Sequence, residues 1–143
     1  MTKCGVCIDV EAPDPHPNLV QARALAQTNN VRVAISNPCF EIWLVMHFKP
    51  HTRWLSTAEA VRRRRECDGS TGKEVDGTLY MADRWVAAAH ARRLRDKHVD
   101  EATLFPDDNP SSGMFELLEA IEQRSATHSA SSMPGRTGSS MGP

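Results

Sequence analysis

Two acidic residues near the amino terminus carry the most chemical promise. Asp9 and Glu11 lie at the end of an apolar, β-prone run, Cys4-Gly5-Val6-Cys7-Ile8-Asp9-Val10, which reads as a strand buried on both faces of a parallel sheet. Residues i and i+2 of a strand point to one face, so this spacing predicts both acids side by side at the strand's C-terminal end. In open parallel sheets, ligands gather beyond those ends. Two carboxylates there suit Mg²⁺, a hard cation that takes oxygen ligands and keeps several waters. Such an ion polarises a phosphoryl oxygen or generates a nucleophilic hydroxide. The plainer alternative is that the two acids merely open a solvated loop.

The other reactive residues point to structure first. Cys4-x-x-Cys7 invites a zinc site completed by His16 or Cys39, making a small metalloprotein. No second Cys-x-x-Cys or His pair follows at finger spacing, however, and a strand sends positions 4 and 7 to opposite faces. Buried, inert thiols are the expectation. Cys39 and His47 cannot form a nucleophile–base pair along one helix, where eight residues rise about 12 Å. Glu41, just past a helix start, suits the dipole and a structural contact with a loop N–H or an arginine. His47 reads as a satisfied core histidine. Arg62, Arg63, Arg64 and Arg65 read as a solvated helix face or as contacts to a phosphate backbone, with Lys73 as a weaker phosphate candidate.

These residues need elements to position them. After the first strand, Ala12 to Asn18 is a proline-broken loop, and Leu19, Ala22, Leu25 and Ala26 share one helical face. Asn29-Asn30 ends that helix, and Val31 to Ser36 reads as a second strand. Strand, helix, strand at this spacing predicts a βαβ unit with parallel strands. Next comes Ser36-Asn37-Pro38-Cys39-Phe40-Glu41-Ile42-Trp43-Leu44-Val45-Met46-His47-Phe48, predicted as a helix capped by Ser36 or Asn37. Apolar almost all round, it should be buried on most faces. It is too short for a membrane span, which needs about 20 apolar residues.

Ser56 and Glu59 form a capping box for a helix to about Cys67, and Asp68 to Gly77 reads as a mobile loop. A long helix is expected over Leu79 to Lys97, burying Met81, Ala82, Trp85, Val86 and Ala89. Asn109-Pro110 precedes a last helix with Met114, Leu117, Leu118 and Ile121 as its stripe. From Ser125 the composition predicts a disordered tail. The fold class is therefore α/β: a small, mainly parallel sheet flanked by helices, with a helical C-terminal half.

The totals are consistent with one domain and no membrane segment: 143 residues, 40% hydrophobic, with a formal net charge of -1. Near-neutral charge gives no global case for nucleic-acid binding, which would need a local basic patch. No signal peptide is visible, and four cysteines then favour reduced thiols in the cytoplasm.

Three of these stretches resemble the RloB-like family, a Toprim-related group of phage-defence proteins. They are Cys7-Ile8-Asp9-Val10-Glu11 with His16-Pro17-Asn18, the Ser36 to Phe48 signature, and Asn109-Pro110-Ser111-Ser112. The resemblance spans roughly Gly5 to Ile121, which sets a domain over residues 1–124 and a tail over 125–143. It implies a Toprim-like Mg²⁺ site for phosphodiester chemistry on DNA or RNA, with Asp9 and Glu11 as ligands. It also implies an ABC/AAA-type ATPase partner and a role in abortive infection. Glu11 stands where the family's second aspartate is expected. The strand and glutamate that precede the acidic strand in that fold have no counterpart here, so the chain reads as an N-terminally truncated member, with activity in doubt. Asn37, Glu41 and His47 are then candidates to support the acidic pair. The competing expectation is a non-catalytic module that docks on the ATPase through its helical half.

Overall fold

The computed structural model describes residues 5–131. Strand β1 (Gly5–Asp9) leads through α1 (Leu19–Thr28) to β2 (Arg32–Asn37), and the two strands pair in parallel from Gly5↔Arg32 to Asp9↔Ser36. The predicted βαβ unit is present. A two-residue strand, β3 (Ser111–Ser112), adds to β2 in antiparallel fashion, giving the order β1-β2-β3. Ser111 and Ser112 had no strand signal in sequence. They are held because the Ser36 and Ser112 hydroxyls hydrogen-bond at 2.9 Å and Gly113 N–H donates to Ile35 O at 2.8 Å. A Cβ on Gly113 would lie 3.3 Å from Ile35 N, so the chain here runs close against β2.

The structure corrects the expectation that the first strand is buried on both faces. β1 is an edge strand, and Gly5, Val6 and Cys7 are exposed. Cys7 is therefore not a buried thiol, while Cys39 is; Cys4 lies outside the described residues. The face predicted for α1 is also only partly covered: Leu19 is buried, but Ala22 and Leu25 are exposed.

The core is built on α2 (Glu41–Val45), where Ile42, Trp43, Leu44, Val45 and the following Met46 are all buried. Each such side chain contributes about 1.5–3 kcal/mol. The helix is shorter than predicted and is not capped by Ser36 or Asn37. β2 continues through Asn37, and the side chains of Ser36 and Asn37 bond to β3 and to the 106–108 segment instead.

Helix α3 (Thr57–Asp68) carries both bonds of the predicted capping box, with Glu59 N–H donating to Ser56 Oγ at 3.2 Å and Ser56 N–H donating to Glu59 Oε2 at 2.8 Å. It ends on Gly69, whose φ of 70° suits glycine. The expected long helix is two, α4 (Gly77–Met81) and α5 (Arg84–Asp100), and its buried face differs from the prediction. Ala87, Ala88, Ala91 and Leu94 are buried, whereas Met81, Ala82, Trp85, Val86 and Ala89 are exposed. The bulky side chains of α2 fill the core, so α5 packs through its alanines. Helix α6 (Met114–Ser131) runs beyond Ser125, the predicted start of the tail, because no proline or glycine intervenes before Pro134. Residues 132–143 lie outside the described residues. Three arginines of α5 pair with glutamates of α6: Arg84 with Glu122 at 3.0 Å, Arg95 with Glu116 at 2.7 Å, and Arg92 with Glu119.

Candidate functional site

Asp9 is the last residue of β1, and the parallel ladder continues past it. Val10 N–H donates to Ser36 O at 3.1 Å, and Glu11 N–H to Pro38 O at 2.7 Å. Glu11 then turns into the left-handed region, with φ 71°. Glu11 has thus left the strand, and one-face strand spacing does not place its side chain. A helix start anchors each of the two acids instead. The N–H of Phe40, just before α2, donates to Asp9 Oδ1 at 2.9 Å. The Thr57 hydroxyl, at the first residue of α3, donates to Glu11 Oε2 at 2.6 Å. The same hydroxyl accepts from Ala12 N–H at 3.0 Å, and Thr57 N–H donates to Ala12 O at 2.9 Å. Each carboxylate is anchored through one oxygen.

Burial pushes the Asp9 carboxyl above the ordinary carboxylate range, and the Phe40 N–H opposes that shift. The negative charges of Glu11 and Glu41 push it further up, while nearby His16 pulls it down. Three acids and a histidine thus share the electrostatics of the strand end. Burial, then the hydrogen-bonded Glu41 carboxylate, drives the Cys39 thiol far above its ordinary range, so it stays protonated and is no nucleophile.

No group of three or more His, Cys, Asp or Glu side chains among the described residues could by itself hold a metal ion. A structural zinc site needs four such ligands, and the cysteines do not supply them there. Mg²⁺ asks for less: one or two carboxylates, with waters and substrate oxygens completing the octahedron. Asp9 and Glu11 are two hard donors, pre-set by Phe40 and Thr57. The unfavourable burial of the Asp9 charge is what a neighbouring cation would relieve. The donor set fits a hard cation.

The remaining predicted residues are dispersed. Asn37 is buried, its Nδ2 donating to Pro106 O at 2.9 Å and to Asp108 Oδ1 at 3.1 Å, so it fastens a loop. Asn109 does the same for another segment, accepting from Leu55 N–H at 3.2 Å and donating to Leu55 O at 2.8 Å. His47 is a core histidine, its Nδ1–H donating to Trp43 O at 2.9 Å and its ring edge-on to Trp43 and Tyr80. Burial lowers its pKa, which keeps it neutral.

The arginine run begins five residues beyond Thr57, roughly 8 Å along the helix axis. Arg62 and Arg65 are exposed, Arg62 with Glu66 at 3.8 Å. Arg63 is half-buried, and its Nε has no partner among the described residues. Arg64 is neither a solvated residue nor free for phosphate. It is buried, pairs with Asp68 at 2.7 Å, and donates to Gly72 O at 2.9 Å and to Glu74 O. That grip also organises the 69–76 loop expected to be mobile; Lys73 projects from it, exposed. Sequence reading missed Thr57 and the Phe40 N–H. The capping box located the start of α3, but nothing in the local pattern links it to Glu11.

No helix among the described residues is long and apolar enough to cross a membrane. No curated protein and no solved structure gives a significant match to the chain. The family model described as RloB-like protein matches residues 3–121, spanning the acidic strand end, the Asn37-Pro38 signature and the Asn109-Pro110 element. This chain belongs to the RloB-like protein family.

Proposed function

We propose that the acidic end of β1 is the Mg²⁺ site of a Toprim-type nuclease acting in phage defence by abortive infection. The observation that carries this reading is the pair Asp9 and Glu11, each anchored through one oxygen at the C-terminal end of a parallel strand. Asp9 and Glu11 would hold the ion, and Glu41 supports them from the first residue of α2. When bound, Mg²⁺ supplies polarisation of a phosphodiester oxygen and activation of water. The chain's own groups orient the acids and exclude part of the solvent. Arg62, Arg63, Arg65 and Lys73 are the cations left to hold a DNA or RNA backbone, in contacts that weaken with salt. An ABC/AAA-type ATPase is the partner this reading assigns, in the cytoplasm.

The test is metal-dependent cleavage of single- and double-stranded DNA and RNA, with the ATPase present. Asp9→Ala is expected to abolish it, and unchanged cleavage would refute the assignment.

A second reading is favoured by one observation. Leu79, Met81, Trp85 and Val86 leave an apolar surface exposed across α4 and the start of α5. That surface suits a non-catalytic module docking on the ATPase. Calorimetric Mg²⁺ titration separates the two readings: binding lost in Asp9→Ala supports the nuclease, and absence of binding in the wild type supports the module.

A further inference from the structure

We infer that Thr57 is a positioning residue for the cation site, holding Glu11 in the orientation in which it serves as a ligand. This rests on the Mg²⁺ reading above. Glu11 lies two residues past the end of β1 with its backbone in the left-handed region, so the strand does not dictate where its side chain goes. Glutamate also has one more methylene than aspartate, and its extra rotatable bond must be fixed for tight coordination. The Thr57 hydroxyl meets that need. It donates to Glu11 Oε2 at 2.6 Å while accepting from Ala12 N–H at 3.0 Å, which aims its proton at the carboxylate. The backbone bond from Thr57 N–H to Ala12 O, 2.9 Å, holds the two segments in register.

The hydroxyl itself is immobilised from behind. Ser56, the preceding residue, is locked in the capping box, and Leu55 before it is clasped by Asn109 through both backbone groups. The C-terminal Asn109-Pro110 element thus reaches Glu11 through Leu55, Ser56 and Thr57. An outer residue that orients a metal-binding carboxylate typically changes metal affinity 10- to 100-fold when removed.

The experiment is calorimetric titration of the full chain with MgCl₂, comparing wild type, Thr57→Val, Thr57→Ser and Asp9→Asn, with a thermal melt of each. Thr57→Val keeps the shape and removes the hydroxyl, and it should raise the Mg²⁺ Kd about 10-fold or more. Thr57→Ser restores the hydroxyl and should return Kd to within about 2-fold of wild type, whatever its melting temperature; a purely structural role would make Kd follow the melt instead. Asp9→Asn should abolish binding. If Thr57→Val binds as wild type does while Asp9→Asn does not, Thr57 is only a helix start and the inference fails alone. If the wild type binds no Mg²⁺, the cation reading fails and takes this inference with it.

Discussion

Two aspartates in this molecule, Asp9 and Asp68, face opposite electrostatic fates. Burial acts to raise both. At Asp9 it prevails: one backbone N–H opposes it, and two further acids add to it. At Asp68 it is overcome. Hydrogen bonds from Tyr80, from Ser70 and from the Arg64 guanidinium hold that carboxyl far below its ordinary value of 3.8, while Tyr80 is pushed up to about 12. The knot at Asp68 has its cation built in, whereas at the end of β1, among the described residues, His16 offsets the gathered charges of Glu11 and Glu41 only in part. A charge arrangement satisfied by the chain is architecture; one left unbalanced at a sheet end calls for something from outside.

The largest effect that would sharpen this contrast comes from the knot. Asp68→Asn leaves the Arg64 guanidinium buried without its counter-charge and should cost about 3–5 kcal/mol, read from urea denaturation at neutral pH. Replacing the pair together, as Arg64→Met with Asp68→Leu, should cost less than Asp68→Asn alone. A double variant as unstable as the single one would show that the knot acts mainly through its loop carbonyls.

Asp9 should behave in the reverse sense. Its folded-state pKa is raised, so the ionised form opposes folding above that pKa, and the penalty vanishes below 3.8. Asp9→Asn keeps an oxygen to accept from Phe40 N–H and removes the charge, so at pH 7 it should stabilise the fold. The gain should stay below about 1 kcal/mol, because the group is only half-buried. Asp9→Ala removes the acceptor as well and should lose about 1 kcal/mol, as other lost caps do. If Asp9→Asn destabilises as much as Asp9→Ala, the charge is already balanced and the contrast breaks.

Acid titration separates the two residues again. Stability from Asp68 is present above 3.8 and is lost as pH falls through its depressed folded value. The benefit of Asp9→Asn should shrink toward zero over the range in which wild-type Asp9 takes up its proton. Urea midpoints at several pH values check both slopes. The smallest effect is ligand-linked: Mg²⁺ at a concentration equal to its Kd should stabilise the wild type by about 0.4 kcal/mol and leave Asp9→Asn unmoved.

What could be read from sequence follows the range of the interaction. The βαβ unit and the capping box of Ser56 and Glu59 are written in local spacing, and the all-round apolar character of residues 42–46 announced their burial. The misses arise where distant segments meet. Asn37 looked like a helix cap, but its side chain is taken by Pro106 and Asp108. Trp85 and Val86 looked like core, but the space against α2 admits alanine. Arg64 sits in a run of four like residues, and what distinguishes it from its neighbours is Asp68, itself bonded by Tyr80, together with the returning loop. At the candidate site, Asp9 and Glu11 were visible as residue types, while the groups that orient them were not.

The clamp on the two acids has a consequence for when the site comes into being. Asp9 is held by a group 31 residues away and Glu11 by one 46 residues away, while Asn109 steadies Leu55 across 54. Contacts of such long separation form only after the intervening chain is ordered, since loop closure precedes their reward. A fragment that stops before Thr57 contains both acids yet lacks half of what aims them. On the proposed Mg²⁺ reading, affinity for the cation would be a property of the completed fold, and in a refolding chain it should be among the last features to appear.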